Sequence, residues 1–319
     1  MYKDPKVVVI GGGTGLSVLL RGLKKFPLNI SAVVTVADDG GSTGKLRDMY
    51  EIPAPGDIRN VMVSLSEVEP LVERVLQYRF KDGKLDGHAM GNLLLTAVTE
   101  ISGNMVDGIE ALSKILNVKG RVLPLTNECC TLCAEFNDGT IIEGESQISK
   151  VNKPIKKVFY KNRVSAYSGT LKALKEADYI IFSIGSLYTS IIPNLLIDEV
   201  REIINNSKAK KIYTCNAMEQ PGETVDYTVS DHIKSIHNHC GKNIIDYIIV
   251  NDEAIPDFAL EKYKVQGVQP VVIDEENIEK LGIELGKHRV IEVRKTGEVR
   301  HNSIRLASII YSRILDWEY

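Results

Sequence analysis

Apolar residues along this chain come in two textures: short unbroken runs, and longer stretches where they recur every three or four positions. Residues 6–10 (KVVVI) are an unbroken, β-branched run, the pattern of a parallel strand buried on both faces. Residues 14–26 follow with Leu16, Leu19, Leu20 and Leu23 at helical spacing, and residues 30–36 (ISAVVTV) form a second strand. The handedness of such crossovers places the two strands side by side. Residues 37–56 are polar and rich in Gly and Pro, and read as a long loop. Helical patterns recur at 58–66, 70–80, 91–100 and 106–116. Residues 121–144 read as a hairpin region turning at Asn137-Asp138-Gly139. Alternation then resumes: helix 170–177, strand 179–184, helix 193–205, strand 211–215, helix 224–239 and strand 246–250. Short runs at 270–273 and 289–294 precede a last helix at 304–315. Strands alternating with helices predict an α/β fold with a mainly parallel, doubly wound sheet covered on both faces. No repeat or linker divides it, so residues 1–319 are expected to form one domain, with a hairpin-containing insertion at about 121–165.

Composition narrows the classes. The net charge of −3 and isoelectric point near 6.1 supply no bulk attraction for nucleic acid. No apolar run approaches the roughly 20 residues that a membrane span needs. The polar start, residues 1–6, leads straight into a strand and has no leader character, so a cytoplasmic location is expected. Among the five cysteines, Cys129, Cys130 and Cys133 form a CCTLC cluster. No second pair stands at ligand spacing, so the expectation is buried, reduced thiols and no metal site.

In a doubly wound sheet, ligands sit beyond the carboxyl ends of strands. The polar motifs of this chain lie at those positions. The first strand ends in Gly11, Gly12, Gly13, Thr14, Gly15 and Leu16. Leu16 stands where a dinucleotide fingerprint has its third glycine, and no Gly-Lys-Ser/Thr follows, so this is neither standard motif. The physics of a phosphate cradle survives: glycines admit close approach, and a helix presents its N-terminal amides to an anion. Thr14 is a candidate cap or hydroxyl contact. The second strand ends in ADDGGSTGKLR, where Asp38 or Asp39, with Ser42 nearby, suits ribose hydroxyls, a cation or a plain Asx turn. In PAPGDIRN, Asp57 is either a helix cap or a site residue, Arg59 suits a phosphate, and Asn60 stands beside them. GHAMGNLLL sets His88 and Asn92 before a helix. Gly185, Ser186, Leu187, Tyr188 and Thr189 end a later strand as a second cradle, and Asn216 ends the next. No nucleophile and base can be paired from the sequence, so no catalytic residue is assigned.

The motifs GGGTGL, TVADDGGSTGKLR, PGDIRN, GHAMGNLLL, GRVLP, GSLYTSIIPNLL, QPGET and RHN, in this order from about Val7 to Leu315, resemble the gluconeogenesis factor family. These proteins are relatives of 2-phospho-L-lactate transferase. The resemblance implies a Rossmann-like, three-layer α/β/α fold. It also implies cytoplasmic proteins needed for growth on gluconeogenic carbon sources and for cell shape. Their implied ligands are UDP-sugars, notably UDP-N-acetylglucosamine, with NAD as a further one, and no required cofactor. The transferase relatives use a guanosine diphosphate donor, a deazaflavin acceptor and Mg2+. By resemblance, residues 12–16 face phosphates, Asp38 and Asp39 the ribose or base, and Asp57 an acceptor. Tyr263 and Arg300 match positions associated with UDP-sugar binding. Two departures stand out: Ser183-Ile184 replace the family's Gly-Pro, and Glu219 replaces a common Thr. The leading expectation is a nucleotide-sugar-binding regulator that steers carbon between gluconeogenesis and cell-wall precursors. Its expected partners are an amino-sugar pathway enzyme and further copies of the chain, not nucleic acid or membrane. The alternative is a Mg2+-dependent transferase acting on a nucleotide-diphosphate-linked donor.

Overall fold

The computed structural model describes residues 4–241 and 244–318; Met1–Lys3, part of the polar start, lie outside the described residues. Strand β1 (Lys6–Gly11) runs through the glycine turn into α1 (Gly13–Leu23) and on to β2 (Asn29–Val34). Every residue of β1 after Lys6 is buried, as a strand covered on both faces requires. The two strands pair in parallel, Val7 opposite Ile30.

The stretch read as one long loop contains a helix, α2 (Gly41–Tyr50). Its two glycines and single buried aliphatic, Leu46, leave no helical stripe in the sequence. Then come α3 (Pro55–Leu65), α4 (Pro70–Gln77), α5 (Met90–Ser102) and α6 (Met105–Ile115). The region read as a hairpin divides in two. Strand β3 (Arg121–Pro124) joins the main sheet, parallel to β2. The hairpin itself is β4 (Leu132–Phe136) and β5 (Ile141–Glu143), closed at Asn137–Gly139 where Gly139 has φ +84°. A one-turn helix, α7 (Glu145–Ile148), leads to β6 (Ile155–Tyr160), which pairs antiparallel with the other edge of β4.

After α8 (Ser168–Lys175) and β7 (Tyr179–Phe182), the expected continuous helix is broken. A π-helical turn (Leu187–Ile191) and a 3-10 turn (Ile192–Leu195) precede α9 (Asp198–Asn206). Pro193 removes a backbone donor there. Asn194 turns its amide to the carbonyls of Gly11 and Ser190 at 3.2 and 2.8 Å. Next are β8 (Lys210–Thr214), α10 (Val229–Cys240) and β9 (Tyr247–Asn251). The last part holds α11 (Asp257–Lys264), α12 (Glu275–Lys280), β10 (Glu284–His288), the two-stranded ribbon of β11 (Ile291–Val293) and β12 (Val299–His301), and α13 (Ser303–Glu318). Residues 270–273 form only isolated bridges, Pro270 with Met218 and Val272 with Thr228.

The main sheet has the order β10-β9-β8-β7-β1-β2-β3, parallel throughout, with helices on its faces and the three-stranded antiparallel sheet set apart. This is the expected Rossmann-like class. Burial holds it together: fully buried Val, Ile and Leu side chains fill the strands and the inner helix faces, at roughly 1.5–3 kcal/mol each. The ion pairs lie largely at the surface, where such pairs contribute about 0–1 kcal/mol. The five cysteines are free; Cys129 is exposed, against the expectation of burial, and the other four are buried. The chain leaves β1 toward β2 and β3 on one side and returns through β7 toward β10 on the other. The crevice this reversal opens lies at the carboxyl ends of β1 and β7, where such folds place ligands.

Candidate functional site

At that crevice is a cavity of about 480 Å³. Its floor is the turn from β1 to α1. Gly12 occupies the N-cap position in an extended conformation, with no side-chain cap, and Gly13 has φ +62°. Gly15 lies against the Ile184–Gly185 backbone, where an added Cβ would overlap the Ile184 carbonyl. This close approach seats the first turn of α1 on the loop after β7. Thr14 is therefore in the first turn rather than at the cap, and lines the cavity.

One wall comes from the loops after β7 and β8. Asn216 clasps Gly185 twice: its Nδ2 donates to the Gly185 carbonyl at 2.8 Å, and its Oδ1 accepts the Gly185 N–H at 3.4 Å. Gln220 donates to the Ser186 hydroxyl. The roof is the β11–β12 ribbon with Tyr263 of α11. Tyr263 accepts the Val299 N–H at 3.0 Å, which holds its ring beside Arg300. His301 also lines the cavity; its Nε2 is buried without a partner, and burial pushes the imidazole down to about 4. The cavity thus gathers amide, hydroxyl and guanidinium donors around a helix N-terminus, an arrangement that favours a polar anion.

On the other side of the glycine turn stands an acidic group. Asp57 does not cap α3, whose N-cap is Ala54; its carboxylate faces Gly12, within 2.8 Å of where a Cβ would stand. Burial and the charge of Asp38 push Asp57 up to about 7, partly opposed by the Gly13 N–H. Asp38 accepts the Gly40 N–H at 2.8 Å and is raised by burial. Glu145, from α7, is pushed up to about 8 by burial, with Asp38, Asp57 and Glu223 adding to it. Glu223 accepts the Tyr188 N–H at 2.9 Å and the Thr189 hydroxyl at 3.0 Å. Among the described residues, no three His, Cys, Asp or Glu side chains gather at metal-binding spacing.

Comparison with known proteins now decides the family. The profile described as 2-phospho-L-lactate transferase CofD matches residues 7–291. The chain belongs to the CofD family. It is 47% identical over 312 residues to a gluconeogenesis factor of Bacillus subtilis, covering 97% of this chain and 98% of that protein. It is 49% identical over 312 residues to a gluconeogenesis factor of Halalkalibacterium halodurans, covering 97% and 96%. A crystal structure of a Bacillus halodurans protein, 48% identical, superposes with a TM-score of 0.94 over 97% of this chain and 100% of that one.

In this CofD family member, the residues singled out from sequence separate into three groups. Gly12, Gly13, Thr14, Gly15, Gly185, Ser186, Asn216, Tyr263 and Arg300 all line the one cavity, although they come from five separate parts of the chain. Asp38 and Asp57 belong to the acidic group beside it, while Ser42, Arg59 and Asn92 form a buried network further along α2, α3 and α5. The rest serve the fold at their present positions. Gly11 ends β1, packed on Ser183, and Leu16 and Leu187 are fully buried in the core. Tyr188 bonds Tyr227 and Ser235 at 2.8 and 3.1 Å, and Thr189 holds Glu223. Asp39 accepts the Ser146 N–H at 2.9 Å, tying the β2 loop to α7. Asn60 is half-buried on α3, outside the cavity.

Both departures from the family pattern are accommodated. Ser183 is buried and donates to the Ile184 carbonyl at 3.1 Å. Glu219 accepts the Asp226 and Gln269 N–H groups at 3.0 and 3.1 Å. Sequence reasoning missed Gln220, His301, Glu145 and Glu223 as site residues. Gln220 and Glu223 stand inside the quoted motif QPGET and His301 inside RHN, where a signal existed. Glu145 had none, because only the packing of α7 brings it there.

Proposed function

We propose that the cavity binds a nucleotide-sugar, UDP-N-acetylglucosamine, and that the protein acts in the cytoplasm as a regulator of carbon flux between gluconeogenesis and cell-wall precursor synthesis, with a consequence for cell shape. The observation that carries this reading is the convergence of the uncapped N-terminus of α1 with Arg300 and Tyr263 in one cavity. A diphosphate at the glycine turn meets the amides of α1 and the Arg300 guanidinium; the Tyr263 ring offers a face for a base. Asn216, Gln220 and Ser186 supply the amide and hydroxyl groups that a sugar needs. The gluconeogenesis factor names of the relatives support the metabolic assignment. NAD is the second ligand that this reading admits. An amino-sugar pathway enzyme and a second copy of the chain are its macromolecular partners.

One observation favours a second reading, a transferase acting on a nucleotide-diphosphate-linked donor: the carboxylates of Asp38, Asp57 and Glu145 beside the glycine turn. They are hard oxygen donors, and Mg2+ needs only one or two of them when a substrate's phosphates supply the rest. Asp38 and Asp57 would hold the ion, which would supply charge neutralisation to the diphosphate.

Calorimetric titration separates the readings. On the first, UDP-N-acetylglucosamine binds without metal, and Arg300→Ala weakens it by about 1.5–3 kcal/mol, the worth of a hydrogen bond to a charged group. Unchanged affinity in that variant rejects the role of Arg300. Binding of GDP that requires Mg2+, followed by turnover, replaces the first reading by the second.

A further inference from the structure

Basic residues are unevenly spread along this chain. Residues 146–175 contain eight Lys or Arg and no Asp or Glu. The whole chain carries −3, so the residues outside this block carry −11. Folding gathers part of the block along one groove. A cavity of about 440 Å³ lies beside β6, between that strand, the start of α9 and the end of α10. Its floor is apolar, with Val158, Val164 and Ile197 buried there. His239 closes the floor on the α10 side. Its Nε2 accepts the Val158 N–H at 3.1 Å, and its Nδ1 donates to the Ser235 carbonyl at 2.7 Å. The ring is therefore neutral, and the free edge of β6 is already engaged at Val158. Recognition in this groove falls to side chains rather than to an added strand.

The rim is basic: Lys156, Lys157, Lys161, Arg163 and Arg201 line it. Its charge is only partly balanced. Lys156 and Lys157 share a single carboxylate, Glu135, at 2.6 and 3.1 Å. Lys161 meets Glu143 at 2.7 Å, and Arg201 meets Asp198. Arg163 forms no ion pair among the described residues. The three lysine side chains are each more than half exposed, and pairs so exposed are weak and exchange readily for a new partner. The occupant whose charge complements this groove is an acidic chain segment: carboxylates meet the rim, and apolar side chains meet the floor. A second copy through the same face would set lysine against lysine. A nucleic acid is disfavoured because Asp198 and Glu199 stand on the α9 wall, and the −11 on the rest of the chain repels a continuous phosphate backbone. A peptide can place its carboxylates on the β6 side alone. We propose that the groove beside β6 is a docking surface for an acidic, partly apolar segment of another protein. It shares no residue with the glycine-turn cavity, and the inference does not rest on the nucleotide-sugar reading.

The test is fluorescence anisotropy of a labelled peptide of alternating Glu and Val, titrated with the full chain. The expected result is saturable binding that weakens as salt is raised, and none by the same peptide with Gln in place of Glu. Lys156→Glu combined with Arg163→Glu should weaken binding about tenfold or more. Lys172→Glu, on α8 and outside the groove, should leave it unchanged. Both groove positions are exposed, so the double variant should keep the thermal midpoint of the parent. If it does not, Lys156→Gln and Arg163→Gln, each made singly and each expected to weaken binding, decide. No binding, equal binding of the Glu and Gln peptides, or equal losses in the groove and α8 variants overturns the proposal. Displacement by an equimolar oligothymidylate assigns the face to nucleic acid, and displacement by UDP-N-acetylglucosamine assigns the peptide to the glycine-turn cavity. Either displacement overturns it too.

Discussion

Asp57 and Glu145 carry a cost that pH exposes. Burial and neighbouring acids lift them from 3.8 and 4.5 to about 7 and about 8. The folded protein therefore keeps protons that the unfolded chain has already released. Their contribution to stability is full below about pH 4 and is lost as pH rises through about 7 to 8. Asp57→Asn and Glu145→Gln should accordingly stabilise the protein relative to its parent at about pH 8.5, and matter little at about pH 4, by urea unfolding at both values. A difference from the parent that does not change with pH would clear these two residues. Legibility at this scale was uneven. The glycine turn could be read because only glycine tolerates its geometry. Tyr263 and Arg300 could be placed in the site only through resemblance, since a lone Tyr and a lone Arg carry no local signal. Asp57 was read as a cap or a site residue, and the structure removes the cap, since the N-cap of α3 is Ala54.

Element boundaries depend on caps and on contacts the sequence does not display. Helix α10 was expected from residue 224 but begins at Val229, after a reciprocal capping box between Thr228 and Asp231. The Thr228 hydroxyl also meets Asp274, and the Ser230 N–H donates to Asp274 at 2.9 Å, so this helix start is tied to the chain before α12. Thr228→Ala should cost about 1 kcal/mol, within the usual range for losing an N-cap, read as a lowered denaturation midpoint at unchanged slope. No loss would mean that Asp274 alone can hold the start of α10. The strands with unbroken β-branched runs were legible. Strands β6 and β10 were not: IKKVFY and ELGKH are polar enough to read as surface, and pairing with β4 and β9 makes them strands. Helix α2 has the same origin: Gly44 serves close packing against the Asp39 carbonyl and Gly41 a positive φ, rather than helix propensity.

Across the whole molecule, the proposed ligand would bridge parts that are far apart in sequence. The cavity joins the turn after β1 to the β11–β12 ribbon, nearly 300 residues later. Hydrogen exchange should therefore show a paired response. With UDP-N-acetylglucosamine bound, protection should rise together at residues 12–15 and 299–301, while β1 and β7, already deep in the sheet, should change little. Protection confined to one of the two segments would break the link between Arg300 and the glycine turn. The sequence by itself determined the class of fold, because buried parallel strands must be continuously apolar and their covering helices amphipathic. It also determined that polar, glycine-rich turns follow those strands. Tertiary structure alone decided which turns share a cavity, which acids lie close enough to hold each other's protons, and which basic residues line one groove. Those facts depend on distances between segments remote in the chain, and a linear order of residues contains no such distances.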